Sequence, residues 1–364
     1  MPDGLKLPTR MEQRLGLEIG NARSALEADC KRAELAAYRA RLGHFDDAGA
    51  TLSALRQKNE RQPQIALSAW IHLAQGIAAY FGDGGVSRTD GVQRAHALCL
   101  AGGLHELRAV CAAWLAQWDY SRSDMVALAG HVHEVLQMAA PQNHAARSRA
   151  NLVGAQALHL AARPDLARPW YLRAREHAVA DGDEATLNAL LHNMAWLRML
   201  AMRQVVLTGE GDASAGRHAL MSAESNAHFG EMVGDSSWPE LEPLLRAQIA
   251  SLQGEAAAAL GLYGEHLAGA TKASRLQANL LADKAWCHVQ LSQLDEARHC
   301  ADVAVKSLTP ETHVDDRAAA HSRLSQTFSV LGDEPSSAQH TALANGAWAA
   351  HALVQADAIK GLAR

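Results

Sequence analysis

Residues 42–48 read Leu42-Gly43-His44-Phe45-Asp46-Asp47-Ala48 and lie between two segments whose apolar residues recur at helical spacing. Gly43 follows the first segment, at the position where helices commonly end in a left-handed residue. Asp46 and Asp47 open the second segment, where carboxylates interact favourably with the positive end of the helix dipole. The pattern predicts a helix, a tight turn and a second helix.

The same pattern returns later in the chain, where residues 291–297 read Leu291-Ser292-Gln293-Leu294-Asp295-Glu296-Ala297. Weaker forms are Ala162-Arg163-Pro164-Asp165-Leu166-Ala167 and Gln253-Gly254-Glu255-Ala256-Ala257-Ala258. Each form separates two segments of roughly 14 to 25 residues with apolar positions at i, i+3, i+4 and i+7. A hairpin of two helices is therefore expected to repeat along the chain.

Composition and breakers extend this prediction to the whole chain. Of the 364 residues, 48% are hydrophobic, and Ala and Leu far outnumber the β-branched Val and Ile, which favours an all-α fold over a sheet. Gly, Pro, Asp and Ser clusters divide the chain into hairpins of about 40 residues. The hairpins are expected at 24–60, 63–101, 104–139, 143–180, 183–232, 237–270, 273–308 and 313–350. Residues 1–23 form a partly helical lead-in, residues 24–350 the repeat array, and residues 351–364 the end of a C-terminal helix.

The recurring turn resembles that of the tetratricopeptide-repeat (TPR) superfamily, in which a small residue, a polar residue, an aromatic residue or Leu, two polar residues and Ala follow one another. The resemblance covers residues 24–350 and implies a right-handed α-α superhelix, a TPR-like solenoid of about eight helical hairpins. The spacing near 40 exceeds the 34 residues of the standard repeat. A HEAT-like array of α-α hairpins is the alternative fold.

Bulk properties disfavour several classes of function. A net charge of −5 without a basic tract argues against direct nucleic-acid binding. Since we find no run of 18 apolar residues, we expect no membrane span, and the first 13 residues, which lack an apolar signal-peptide core, predict a cytoplasmic protein. Five Cys residues without a CxxC motif are expected to be reduced and buried.

Catalytic motifs are also missing from the sequence. None of the 19 His residues has a second His three or four positions away, as a helical metal site needs, and HExxH, GxSxG and P-loop motifs are absent. The segment His131-Val132-His133-Glu134 places its two His residues on different faces of a helix. We therefore expect a non-enzymatic protein with no metal, no cofactor and no catalytic residues.

The resemblance also implies a binding surface, because the first helix of each hairpin lines the concave groove in proteins similar to TPR repeats. Turn alignment carries the partner-contacting positions to the fourth and seventh hairpins, and a mixed amide, aromatic and basic stretch extends them to the fifth. The candidate partner-binding residues are Arg149, Gln156, His159, Asn193, Trp196, Arg198, Asn279, Asp283 and Trp286. Amides of this kind bind extended peptides, and Arg binds carboxylates.

These observations favour a peptide- or protein-binding scaffold, or adaptor, in bacterial signalling or regulation. A sensory module that binds a small ligand or peptide is the alternative, since similar arrays accompany transcriptional regulators, nucleotide cyclases and quorum-sensing receptors. An enzyme or small-molecule binder with residues 203–237 as a lid is a third hypothesis. The sequence leaves a homodimer open.

Overall fold

The computed structural model describes residues 8–82, 90–209, 241–272, 274–310 and 312–363, and within them the chain forms sixteen α-helices, one short 3-10 helix and no strand. The predicted all-α class is confirmed. The α-helices are α1 (Arg10–Gly20), α2 (Ala25–Arg41), α3 (Phe45–Arg61), α4 (Ile65–Gly82), α5 (Asp90–Ala101), α6 (His105–Ser121), α7 (Met125–Met138), α8 (His144–Leu160), α9 (Pro164–Asp181), α10 (Glu184–Thr208), α11 (Leu241–Leu252), α12 (Ala256–His266), α13 (Ser274–Gln290), α14 (Leu294–Ser307), α15 (Val314–Val330) and α16 (Glu334–Leu362).

Consecutive helices pack as antiparallel hairpins, and neighbouring hairpins contact one another. The hairpins are α2/α3, α4/α5, α6/α7, α8/α9, α11/α12, α13/α14 and α15/α16. We call α2, α4, α6, α8, α10, α11, α13 and α15 the first helices, and α3, α5, α7, α9, α12, α14 and α16 the second helices. Most adjacent first helices pack against each other, as α2 does with α4, α8 with α10, and α13 with α15.

One turn geometry joins the first to the second helix in each of the hairpins whose turn is described. Its central residue has a positive φ, at Gly43, Ser123, Ala162, Gly254, Ser292 and Gly332. The following N–H donates to the carbonyl five residues earlier, for example from His44 to Arg39 and from Gln293 to His288, both at 2.9 Å, which is the Schellman helix ending. The turn predicted at residues 42–48 and its three recurrences are therefore confirmed, and two further turns share it.

Small side chains let the helices approach closely, because about half of the buried hydrophobic residues are Ala. The core positions of α8, for example, include Ala146, Ala150, Ala155 and Ala157, each with 0% exposure. Where the chain places a Trp it fills wider gaps, as Trp114 and Trp118 do with edge-to-face rings 6.0 Å apart.

The two ends of the chain pack against its middle. Helix α1 lies on α2 and reaches the end of α9 through an Arg14–Asp181 ion pair of 3.1 Å. Helix α16 returns to α7 and α8, where Gln355 Nε2 donates to the Leu160 carbonyl at 2.8 Å and Leu362 is buried. Residues 351–362, expected to be the end of a C-terminal helix, are the last part of the 29-residue helix α16.

Helix α4 is long and apolar enough to cross a membrane, with a mean hydropathy of 1.2. It qualifies because it contains no charged residue, although polar residues interrupt its apolar run. In this fold it packs against α2, α3 and α5, and Leu67, Ile71 and Leu73 lie in the core. Its contacts are those of a core helix.

Candidate binding site on the first helices

Buried polar side chains are confined almost entirely to the first helices. Among the described side chains, every buried Arg, Asp, Asn or Gln within a helix belongs to a first helix, whereas the second helices bury apolar or small residues, apart from three polar residues of α16. These buried polar residues are Asp29, Arg41, Gln117, Asp119, Arg149, Asn151, Gln156, Asn188, Arg203, Gln248, Asn279, Asp283, Asp316 and Arg323. Because burial of such groups is costly and rare, each of them is expected to find a hydrogen-bond or ion-pair partner inside the fold.

The first of two charged clusters surrounds the predicted residue Arg149 on α8. Its side chain is buried, with a residue exposure of 7%. The guanidinium carbon lies 4.3 Å from the centroid of the Trp114 ring, and Nη2 donates to Thr186 Oγ1 at 3.4 Å. Within the described part of the chain Arg149 forms no ion pair. Burial, reinforced by the charge of Arg41, lowers the pKa of Arg149 to about 9.

Arg41 joins the end of α2 to the start of α10. It donates to both carboxylate oxygens of Asp183, at 2.8 and 2.9 Å, and to Thr186 Oγ1 at 2.7 Å. Asp183 precedes α10 and caps it, accepting from the Thr186 N–H at 2.8 Å and from its hydroxyl at 2.7 Å. Despite its burial, Asp183 has a lowered pKa, because Arg41 and Thr186 stabilise the carboxylate. This bidentate pair therefore ties together helices that are far apart in the sequence.

A cavity lies beside this pair, between α2, α4, α6, α8 and the start of α10. It leaves about 40 Å³ for the centres of water-sized molecules and is partly open to solvent. Arg41, Arg149, Asp183 and Thr186 form its polar wall, and Glu34 contributes a carboxylate. Its apolar and aromatic lining is Met11, Ala37, Tyr38, Trp70, Leu73, Ile77, Val110, Trp114 and Ala145.

The second charged cluster lies between α10, α13 and α15. Arg203 is 1% exposed and contacts Asp316 at 3.0 Å and Asp315 at 3.3 Å. The predicted residue Asn279 is also fully buried, and its Nδ2 donates to Asp316 Oδ1 at 3.3 Å. Burial, with Asp315 beside it, raises the pKa of Asp316 to about 7.

Two further predicted residues, Asp283 and Trp286, meet Arg323 at the edge of this cluster. Arg323 Nε donates to Asp283 Oδ1 at 3.1 Å, and its guanidinium lies 5.5 Å from the Trp286 ring centroid. Asp283 is fully buried, whereas Trp286 is half-buried. The second cluster thus pairs two Arg residues with three Asp residues, an excess of one carboxylate.

The remaining predicted residues lie between the clusters. Gln156 is buried on α8, and the half-buried His159 faces Tyr171, with 3.2 Å between Nδ1 and Oη. Burial, together with the charge of Arg198, lowers the pKa of His159 to about 4. Asn193, Trp196 and Arg198 are half-buried on α10.

Of the nine predicted residues, Arg149, Gln156, Asn279 and Asp283 are buried, and the other five are half-buried. Three of the four buried residues contact other side chains of the chain itself. Their binding role stays a prediction.

Sequence reasoning missed Arg41, Asp183, Thr186, Arg203 and Asp316. Two signals in the sequence could have found part of this set. Asp183 stands at the start of the hairpin expected at 183–232, where Asp is a favoured helix cap, and Arg203 is a cation in the largely apolar second half of α10. Their partners lie more than 100 residues away, beyond the reach of local patterns.

The segment 131–134 contributes to ion pairs on the helix surface. His131 Nδ1 lies 2.6 Å from Asp119 Oδ2, and Glu134 contacts Arg108 and His96 at 2.5 and 3.0 Å. Across the described residues no three His, Cys, Asp or Glu side chains are placed to hold a metal ion. All five Cys are free thiols, four of them buried, and Cys30 is half-buried.

No protein-family model and no curated protein matches this chain.

Proposed function

We propose that this chain is a non-enzymatic binding module in which TPR-like hairpins form a right-handed superhelix and the first helices line the ligand-binding inner surface. The observation that carries the proposal is the confinement of buried Arg, Asp, Asn and Gln residues to the first helices. A purely structural array needs only small apolar residues there, since stacking of hairpins is driven by apolar burial.

A sensory module that encloses a small ligand or a peptide end is favoured over an open scaffold. The Arg41–Asp183 pair connects first helices that belong to distant hairpins, and the cavity beside it is compact. A groove for a long extended peptide would instead leave its polar residues accessible along several repeats. The free thiols fit a reducing compartment, and we place the protein in the cytoplasm on that basis.

The scaffold is the second candidate, and it has an observation of its own. Asn193, Trp196 and Arg198 are half-buried on α10 between the two charged clusters, where an amide, an aromatic ring and a cation could contact a partner segment.

Hydrogen–deuterium exchange with a selected ligand tests the proposal. Peptide and small-molecule libraries are screened against the purified full chain, and the strongest binder of each type is added during exchange. We expect protection in α4, α6, α8 and α10 and unchanged exchange in α3, α5 and α9. Protection centred on the second helices would contradict the proposal. Simultaneous substitution of Asn193, Trp196 and Arg198 by Ala should weaken capture only if the scaffold is correct.

A further inference from the structure

The cavity of the first charged cluster is lined by a cation, Arg149, that forms no ion pair among the described residues, and this inference rests on the proposed function. We infer that the cavity binds a monocarboxylate with an apolar body, and that Arg149 is the residue that pairs with the carboxylate. The carboxylate belongs either to a small organic acid or to the C-terminal residue of a peptide.

The hydrogen bonds of Asp183 show why Arg149 forms no ion pair with it. Its Oδ1 accepts from Arg41 Nη2 and from the Thr186 N–H, and its Oδ2 accepts from Arg41 Nη1 and the Thr186 hydroxyl. Both oxygens are therefore occupied by Arg41 and Thr186. Arg149 reaches only the hydroxyl of Thr186, at the long distance of 3.4 Å. A buried guanidinium without a carboxylate is an unusual arrangement, because its desolvation is not offset by an ion pair.

The orientation of Arg149 leaves its N–H groups available to a ligand. Its carbon lies 4.3 Å from the Trp114 centroid, so the ring covers one side of the guanidinium. Nε and Nη1 have no hydrogen-bond partner among the described residues. A guanidinium binds a carboxylate through two parallel N–H···O bonds along its edge, and such charge-assisted pairs are about twice as strong as neutral hydrogen bonds.

The rest of the lining selects the body of the ligand. Trp70, Leu73, Ile77 and Val110 also line the cavity and give it an apolar surface. About 40 Å³ for the centres of water-sized molecules is room for about three waters, so the cavity takes the carboxyl end of a ligand, whose body would extend towards the side open to solvent, and it excludes a helix.

One carboxylate of the chain also faces the cavity and limits the charge of the ligand. Glu34 contacts Lys31 at 2.9 Å, and Lys31 also contacts Glu18 at 2.8 Å, whereas no ion pair joins Glu34 to Arg149 among the described residues. A ligand with a second carboxylate would meet Glu34, and like charges repel. The site therefore favours a monoanion over a dianion.

Calorimetric titration of the full chain in chloride-free buffer tests this inference. The probes are phenylacetate and 4-methylpentanoate, each compared with its neutral amide, and acetyl-Ala-Ala-Leu with a free carboxylate, compared with the C-terminal amide. We expect at least one acid to bind 10-fold or more tightly than its amide, as loss of a charge-assisted pair predicts. Tight binding of the organic acids alone, or of the peptide acid alone, identifies the source of the carboxylate.

The variants separate a role in binding from a role in folding. Arg149→Met should reduce affinity for the acid at least 10-fold. Arg149→Lys keeps the charge but loses the two parallel N–H donors of the guanidinium, and it should reduce affinity less. Arg56→Met, at an exposed position of α3, is the matched control and should bind as the unaltered chain does. Thermal unfolding of each variant reports whether it is folded.

Three results would overturn the inference: binding of neither acid nor amide, equal binding of both, or unchanged acid affinity in a folded Arg149→Met. The proposed function would survive each of them if another ligand still protected the first helices in the exchange experiment. It would fail separately if protection appeared on the second helices.

Discussion

The two charged clusters differ in the sign of the charge that lacks a partner: in the first a cation forms no ion pair, and in the second the carboxylates outnumber the cations. In the first, Arg41 and Asp183 neutralise each other and Arg149 remains. In the second, Arg203 and Arg323 face Asp283, Asp315 and Asp316, and one carboxylate remains. A surplus carboxylate can be neutralised by a proton, and the pKa of Asp316 near 7 reflects this. A guanidinium keeps its proton at neutral pH even with a pKa of about 9, so Arg149 stays charged, and the proposed ligand carboxylate would be its ion-pair partner.

The largest difference between the two clusters is expected in the free energy of unfolding when one Arg is removed from each. Arg203→Met leaves Asp315 and Asp316 buried without their cation and should lower the free energy of unfolding by about 3–5 kcal/mol. Arg149→Met removes an unpaired buried charge and should change it by less than about 1 kcal/mol, or raise it. Chemical denaturation at pH 7 measures both. Equal losses would show that Arg149 is a structural ion-pair partner after all.

Arg41→Met should have an intermediate effect. It removes the bidentate partner of Asp183, but Thr186 still donates two hydrogen bonds to this carboxylate and Arg149 is near enough to replace the charge. We expect a loss of about 1–3 kcal/mol in the same assay. The double variant Arg41→Met/Arg149→Met should lose more than the two single variants together. Simple additivity would argue against a substitute role for Arg149.

The surplus carboxylate predicts a pH dependence that belongs to the second cluster. Native Asp316 keeps its proton up to about pH 7, whereas the unfolded chain loses it near 3.8, so between these values this residue makes stability fall as pH rises. Asp316→Asn removes that titration. Relative to the unaltered chain, its free energy of unfolding should increase by roughly 1–3 kcal/mol between pH 5 and pH 8.

The comparison of variant with parent is essential here, because buried His residues titrate in the opposite sense. Burial, together with the charge of His340, lowers the pKa of His321 to about 4, so its contribution to stability increases as pH rises towards 6.5. That contribution is present in both proteins and cancels. A difference between variant and parent that did not change with pH would contradict the assignment of the surplus charge to Asp316.

The smallest predicted effect concerns the turn geometry shared by α8/α9, the hairpin of Arg149, and α13/α14, the hairpin of Asp283. Ala162 and Ser292 occupy the same left-handed turn position, with φ of 56° and 59°, and both are exposed. Gly avoids the crowding of Cβ in this conformation, so Ala162→Gly and Ser292→Gly should each raise the free energy of unfolding by up to about 1 kcal/mol. Gly43→Ala should produce the reverse change. Thermal unfolding measures all three variants. Unequal increases in stability for Ala162→Gly and Ser292→Gly would show that the two turns are not equivalent.

The sequence predicted the repeating part of the fold because its signals are local. A left-handed residue and the acidic start of the next helix lie within seven positions of each other at residues 42–48 and 291–297. The return of α16 to α7 and α8 was not predicted, since nothing in its Ala-rich pattern names a partner almost 200 residues away.

Prediction of the site was less successful for a related reason. The alignment of the turns with those of TPR repeats placed Arg149, Asn279 and Asp283 on the first helices of their hairpins, where they are found. It could not show whether that face is open or closed by side chains such as Arg41 and Arg203. Ion pairs between residues more than 100 positions apart depend on how all the intervening helices pack, which no single motif encodes.

The return of α16 has a consequence for how the molecule unfolds. In a chain of hairpins with contacts only between neighbours, the terminal units fray independently and unfolding spreads from the ends. Here the hydrogen bond from Gln355 to Leu160 spans 195 residues, so detachment of the last helix also uncovers the middle of the array. This long-range contact makes unfolding more cooperative. It also slows folding, because distant segments must meet before the contact can stabilise either of them.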